Sequence, residues 1–170
     1  MKVEFLKERY DFELQRREQL TSALTLPVGV LSGLGGLMIA MVRSFGAKHL
    51  WLTVPFFASF GVDVAAFFIC LVFLALAYHG QKYKYLPLLK ELQDWEDDYM
   101  ALNSYDVALG KADNAFERHI AERIIDAADR NTENNDGRSN RLHQARLALF
   151  GVLILTTVAG VLYIVNQLVR

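Results

Sequence analysis

"LPVGVLSGLGG", residues 26–36, sets four glycines in eleven positions, and its flanks decide between a phosphate-cradling loop and a helix that never meets water. A Walker loop ends in Gly-Lys-Ser/Thr, because the lysine and the hydroxyl meet phosphate and magnesium. Here Gly36 is followed by Leu37, Met38 and Ile39, and no lysine comes until Lys48. A dinucleotide fingerprint is also incomplete, since Gly33-Leu-Gly35-Gly36-Leu-Met38 lacks its last glycine. From Ala23 to Val42 there is no charge. A helix of about 20 such residues rises about 30 Å, the thickness of a bilayer core. In that setting Gly29, Gly33 and Gly36 share a face where small residues let two membrane helices approach closely. The close approach is either between subunits or within one.

Two more apolar blocks follow. Residues 54–78, "VPFFASFGVDVAAFFICLVFLALAY", come after a link of about a dozen residues, so the first two blocks form an antiparallel membrane hairpin, 23–78. Trp51 and Tyr78 stand near the ends of the second span, where amphipathic rings favour the headgroup zone. The third block, Leu147–Leu168, is again uncharged, within the terminal segment 147–170. The fold expected is therefore all-α and multi-pass, with three spans.

The intervening segments are charged. Residues 1–22 carry Val3, Leu6, Tyr10 and Leu14 at helical spacing, an amphipathic helix with balanced charge that suits packing on protein. In 79–146, Tyr85, Leu88, Leu89, Leu92, Trp95 and Tyr99 make one helical stripe, and Leu109, Ala112, Phe116, Ile120, Ile124 and Ala128 a second. "NTENNDGRSNR", 131–141, reads as a break because Asn, Asp and Gly favour turns and helix ends; the other reading is a wet, frayed part of one long helix. Lysine and arginine set the orientation: five fall in the N-terminal segment and ten in 79–146, against two in the hairpin link. That puts the N-terminus and the 79–146 segment in the cytoplasm.

Composition narrows the function. The chain has 170 residues, 53% hydrophobic, with a formal net charge of −1, which argues against binding duplex nucleic acid. Cys70 is the only cysteine, so neither a disulfide nor a cysteine zinc cluster forms within the chain. No cofactor or metal is expected.

Few residues invite chemistry. Asp63 is the only ionisable side chain well inside a span, and such acids face a water-filled cavity or a partner. Either a ring of Asp63, with Ser59 one turn before it, lines a cation pore, or Asp63 reaches the interface and packs. Arg138, Arg141 and Arg146 cluster before the third span; they fix topology at an anionic surface, or form an anion site for a phosphate-bearing signal. Arg138 and His143 also match the loose Arg-x4-His spacing of HEPN ribonucleases, although Ser139 stands where that family places Asn, Asp or His. No other catalytic set is visible, so an enzyme is not expected.

The order of parts resembles the SLATT family of small bacterial membrane effectors. "YDFELQRREQLTSALTLPVGVLSGLGG", 10–36, and "ERIIDAADRNTENNDGRSNRLHQARLALF", 122–150, carry the similarity, which is architectural rather than catalytic. The third span departs from the family's minimal two. The resemblance implies a homo-oligomer, taken as a tetramer, in the bacterial inner membrane. It implies a pore or ion channel used in antiviral defence by abortive infection, controlled by a nucleotide or oligonucleotide signal and its synthase, a partner nucleotidyltransferase. Within the family, Hailong-type systems, where a nucleotide product holds the channel shut, are the first to consider. The alternative is a non-conducting adaptor that anchors a soluble partner.

Overall fold

The computed structural model describes residues 3–46, 49–79, 82–86, 94, 97 and 112–169, the side chains of the last stretch from 117 onward. Its long elements are all helices: α1 (Val3–Ser22), α2 (Thr25–Ser44), α3 (Leu50–Tyr78) and α4 (Ala112–Leu168). Three stretches, Val3–Ser44, Leu50–Tyr78 and Glu117–Leu168, are long and apolar enough to cross a membrane.

Only Ala23 and Leu24 interrupt the first of these, as a turn in which Leu24 keeps right-handed helical angles. Pro27 is the physical cause. It has no N–H to give the carbonyl of Ala23, and its ring crowds that carbonyl, yet it is tolerated in the first turn of α2. Pro55 lies inside α3, in its second turn, so the Trp51 carbonyl goes without its helical N–H donor there, and the helix still runs on to Tyr78.

The chain divides into two compact units. One comprises residues 1–19 and 81–136, the other 20–80 and 137–170.

In the charged unit, α1 and the first part of α4 bury Leu6, Tyr10, Ile124, Ala127 and Ala128, with Leu86 and Ile120 packed beside them. Lys82–Leu86 is not helical. This corrects the helical stripe at its first member, Tyr85. Pro87 explains it, because proline forces the residue before it out of the α region. The stripe's other members, and Leu109 of the second stripe, lie outside the described residues; Ile120, Ile124 and Ala128 do face the core.

In the apolar unit, three helices share two clusters. Leu24, Leu31, Cys70, Leu74, Leu142, Ala145, Leu149 and Val152 form the larger. Met38, Met41, Phe56 and Ala159 form the other. There Phe45 stacks flat on Phe56 at 3.9 Å. Beside it the end of α4 holds the hairpin link. Asn166 donates to the Gly46 carbonyl at 3.0 Å, Gln167 to the Ser44 carbonyl at 3.2 Å, and Tyr163 shares a hydrogen bond with the Ser44 hydroxyl at 2.9 Å.

The break expected at 131–141 is absent: α4 runs through it. The other reading, one long helix, holds, with one dry face: Glu133, Asp136 and Asn140 are exposed while Asn131, Asn135 and Arg138 are buried. Their spacing gives the reason. Ile124, Asn131, Arg138, Ala145, Val152, Ala159 and Asn166 are all buried and stand seven residues apart. Ala128, Asn135, Leu142, Leu149 and Thr156 make the companion row. A seven-residue alternation of this kind is the helix-to-helix seam of a coiled coil. The polar residues at 131, 135 and 138 occupy seam positions, and each finds a partner there.

Candidate functional site

Asp63 lies in the seam of the apolar unit. Its spacing from Phe56 and Cys70, seven residues either way, puts it on the inner face of α3, and it is 0% exposed. Across from it Thr156 of α4 donates its hydroxyl to Asp63 Oδ2 at 2.7 Å. Asp63 Oδ1 is also buried and has no hydrogen-bond partner among the described residues. A polar pair inside an apolar bundle is worth more as a fixed register than as net stability, because burial offsets most of its attraction. Ser59 does not join it; its hydroxyl donates to the Phe56 carbonyl, one turn back on its own helix. Asp63 therefore faces a neighbouring helix of the same chain.

The glycines behave differently. A Cβ placed at Gly29, Gly33 or Gly36 would meet nothing within 4 Å. All three are exposed, and Thr25, Ser32 and Ala40 extend the same face of α2. The glycine that does admit a neighbour is Gly35, where a Cβ would come within 3.3 Å of the Phe67 ring. By contrast, the exposed faces of α3 and α4 are bulky, with Phe57, Phe68, Phe150 and Ile154 among them.

Two of the three arginines meet at the same end of α3, and the third does not join them. Arg138 is buried; its Nε donates to the Ala77 carbonyl at 3.1 Å, and the guanidinium also donates to the Thr21 hydroxyl at 3.2 Å. Arg141 donates to the Leu76 carbonyl at 3.1 Å. Both satisfy carbonyls that the end of α3 leaves without helical donors, where a cation also meets the negative end of the helix dipole. Arg146 is exposed and shares in neither contact. His143 is exposed while Arg138 is buried, so the Arg-x4-His pair points two ways around α4.

A second polar centre, which the sequence reading did not single out, lies in the charged unit. Glu13 is 0% exposed. Its Oε2 accepts from Asn135 Nδ2 at 2.9 Å, and the same amide group donates to the Glu13 backbone carbonyl at 2.8 Å. Arg9 and Arg16 form ion pairs with the carboxylate at 3.1 and 3.6 Å, and Arg16 also pairs with Asp136 at 2.6 Å. Tyr83 donates to Asn135 Oδ1 at 2.6 Å. Asn131 treats Lys84 as a β partner would, accepting from its N–H at 2.9 Å and donating to its carbonyl at 3.0 Å. Asn134 donates to the Lys82 carbonyl, and the Leu86 N–H donates to the Tyr10 hydroxyl. The asparagines of "NTENN" thus clamp a non-helical segment onto a helix. A signal was available, namely the seven-residue spacing that joins Asn131 to Ile124 and Arg138.

Among the described residues no group of His, Cys, Asp and Glu converges as a metal site would require. Compared with known proteins, the chain matches no family model, no curated protein and no solved structure.

Proposed function

We propose that this chain is a membrane effector that assembles from several copies into a gated ion channel. The three apolar helices cross the bilayer, with the N-terminus and the charged unit in the cytoplasm. A nucleotide made by a partner nucleotidyltransferase controls the channel, and its opening arrests or kills the infected bacterial cell. The defence setting and the nucleotide signal rest on the resemblance to SLATT effectors. The observation that carries self-assembly is the unfilled face of α2. Glycine inside a helix is unfavourable by roughly 1 kcal/mol relative to alanine, so three on one face need a compensating contact. Nothing among the described residues supplies it. In hydrocarbon a second helix at close range does, through backbone packing that larger side chains prevent.

On this reading α2, with Thr25 and Ser32 beside the glycines, faces the central axis. Asp63 is a register pin inside each subunit rather than the lining of the pore. The test is the subunit number of the protein in lipid nanodiscs, together with ion flux from vesicles. A ring of four or more subunits that conducts, and that Gly33→Leu both disperses and silences, is the expected result. A second reading, a non-conducting adaptor that holds a soluble partner at the membrane, draws support from the inward orientation of Asp63. A monomeric protein that passes no ions with or without candidate nucleotides would decide for it.

A further inference from the structure

Between α2 and α3 runs a groove of about 460 Å³, walled by Gly35, Met38 and Ile39 on one side and Phe60, Val64 and Phe67 on the other. Its size falls in the range of ligand sites, roughly 300–1,000 Å³. The walls are hydrocarbon apart from one end, where Arg43 completes the lining in the last turn of α2. Arg43 is exposed and has neither an ion pair nor a hydrogen bond among the described residues. An apolar trough closed by one unpaired guanidinium matches an amphiphile with a long apolar tail and an anionic head.

We infer that this groove binds a glycerophospholipid of net negative headgroup, its acyl chain lying along Gly35 and Phe67 and its phosphate paired with Arg43. Three features argue for this occupant. The groove opens on helices that are apolar over membrane-spanning lengths, so what reaches it from a bilayer is an acyl chain. With no side chain at Gly35, the Phe67 ring packs close against the α2 backbone, 3.3 Å from where a Cβ would stand, and closes an apolar floor between the two walls. The guanidinium presents forked donors to phosphate oxygens, and a net negative head keeps the attraction that a zwitterionic one cancels.

This rests on the membrane reading proposed above, and the experiment separates the two. The full chain, with Trp51→Phe and Trp95→Phe and a single reporter Phe68→Trp at the groove, is reconstituted in phosphatidylcholine vesicles. Flotation with the vesicles tests the membrane reading alone. Acyl-brominated phosphatidylglycerol is then compared with acyl-brominated phosphatidylcholine as a quencher of the reporter. The expected result is about a fivefold preference for phosphatidylglycerol, the contribution of one arginine at an anionic surface. Arg43→Gln should abolish that preference and Arg43→Lys should restore most of it. A reporter placed instead on the outer face of α4, Ile154→Trp, should show no preference. Equal quenching by both lipids at Phe68→Trp, or a preference that survives Arg43→Gln, overturns the inference. So does failure of either lipid to quench the groove reporter in a protein that floats, the outcome if a second copy covers the groove.

Discussion

The two units use one spacing and opposite materials. In the apolar unit the seam of α4 is Leu142, Ala145, Leu149, Val152 and Ala159, with Thr156 its bond to Asp63. In the charged unit the same rows hold Asn135 against Glu13 and Asn131 against the Lys84 backbone. The contrast teaches that helix-to-helix fit depends on where a residue recurs, and only secondarily on what it is. A polar residue takes a seam position when it has a partner within reach. Asn135 has two, and Asn131 has a whole backbone peptide.

The contrast can be broken at the polar end first. Asn135→Leu puts an ordinary seam residue into the charged unit but leaves the buried Glu13 carboxylate short of its amide donor. A loss of about 3 kcal/mol is expected, as for one partner removed from a buried charged network. Faster amide hydrogen exchange over residues 3–19, with exchange in α3 unchanged, would register it. Loss of protection in both places would contradict separate seams.

In the apolar unit the two ways of removing the pair should diverge. Thr156→Val strands the Asp63 carboxyl and is expected to destabilise by about 2 kcal/mol in detergent unfolding. The double variant Asp63→Leu, Thr156→Val replaces both polar groups with hydrocarbon and should return to within about 1 kcal/mol of the parent. A double variant worse than the single one would mean that the carboxyl has a task beyond register.

Smaller still is the effect of Gly33→Ala on the isolated chain. No neighbour among the described residues opposes the new methyl group, so unfolding of dispersed protein should shift by less than about 1 kcal/mol, toward greater stability. The same change should weaken self-association in a crosslinking assay. Unaltered crosslinking would remove the case for α2 as the contact helix.

The mildest effect concerns the ion pair of Lys84 with Asp126. The hydrogen bond from Lys84 holds the Asp126 carboxyl below its ordinary range, helped by the charges of Lys84, Arg130 and Arg123. A carboxyl lowered in the folded state stabilises the fold in full above the ordinary carboxylate range. That stability is lost as the pH falls through the lowered value. Asp126→Asn should flatten this acid limb of the unfolding curve slightly, since the pair is exposed and screened. An acid limb unchanged by the substitution would show that the pair contributes nothing.

Much of this was legible in the sequence. The absence of charge between Ala23 and Val42, and again after Leu147, marks the apolar helices without any tertiary information. Asp63 announced itself as an isolated acid, but nothing in a linear text says which helix it faces, so its bond to Thr156 could not be foreseen. The stretch from Asn131 to Arg141 misled for a definable reason. Propensity weighs each Asn, Asp and Gly by what it does in water, where its side chain competes for the backbone. Inside a seam those side chains are engaged elsewhere, and periodicity outweighs composition. Tyr85 was the opposite case: helical spacing put it in a stripe, yet it stands in a non-helical segment two residues before Pro87.

The seven-residue rows of α4 have a consequence for how such a chain can change in length. One residue added near Leu149 would turn everything after it by about 100°. Arg138 would keep the carbonyl it holds, while Thr156 would swing away from Asp63 and Asn166 from the Gly46 carbonyl. Two more turns of helix, seven residues, would restore every facing. Lengthening or shortening of this helix is therefore tolerated in steps of seven, with shifts of three or four absorbed only by local over- or unwinding. The helix is a ruler with coarse divisions.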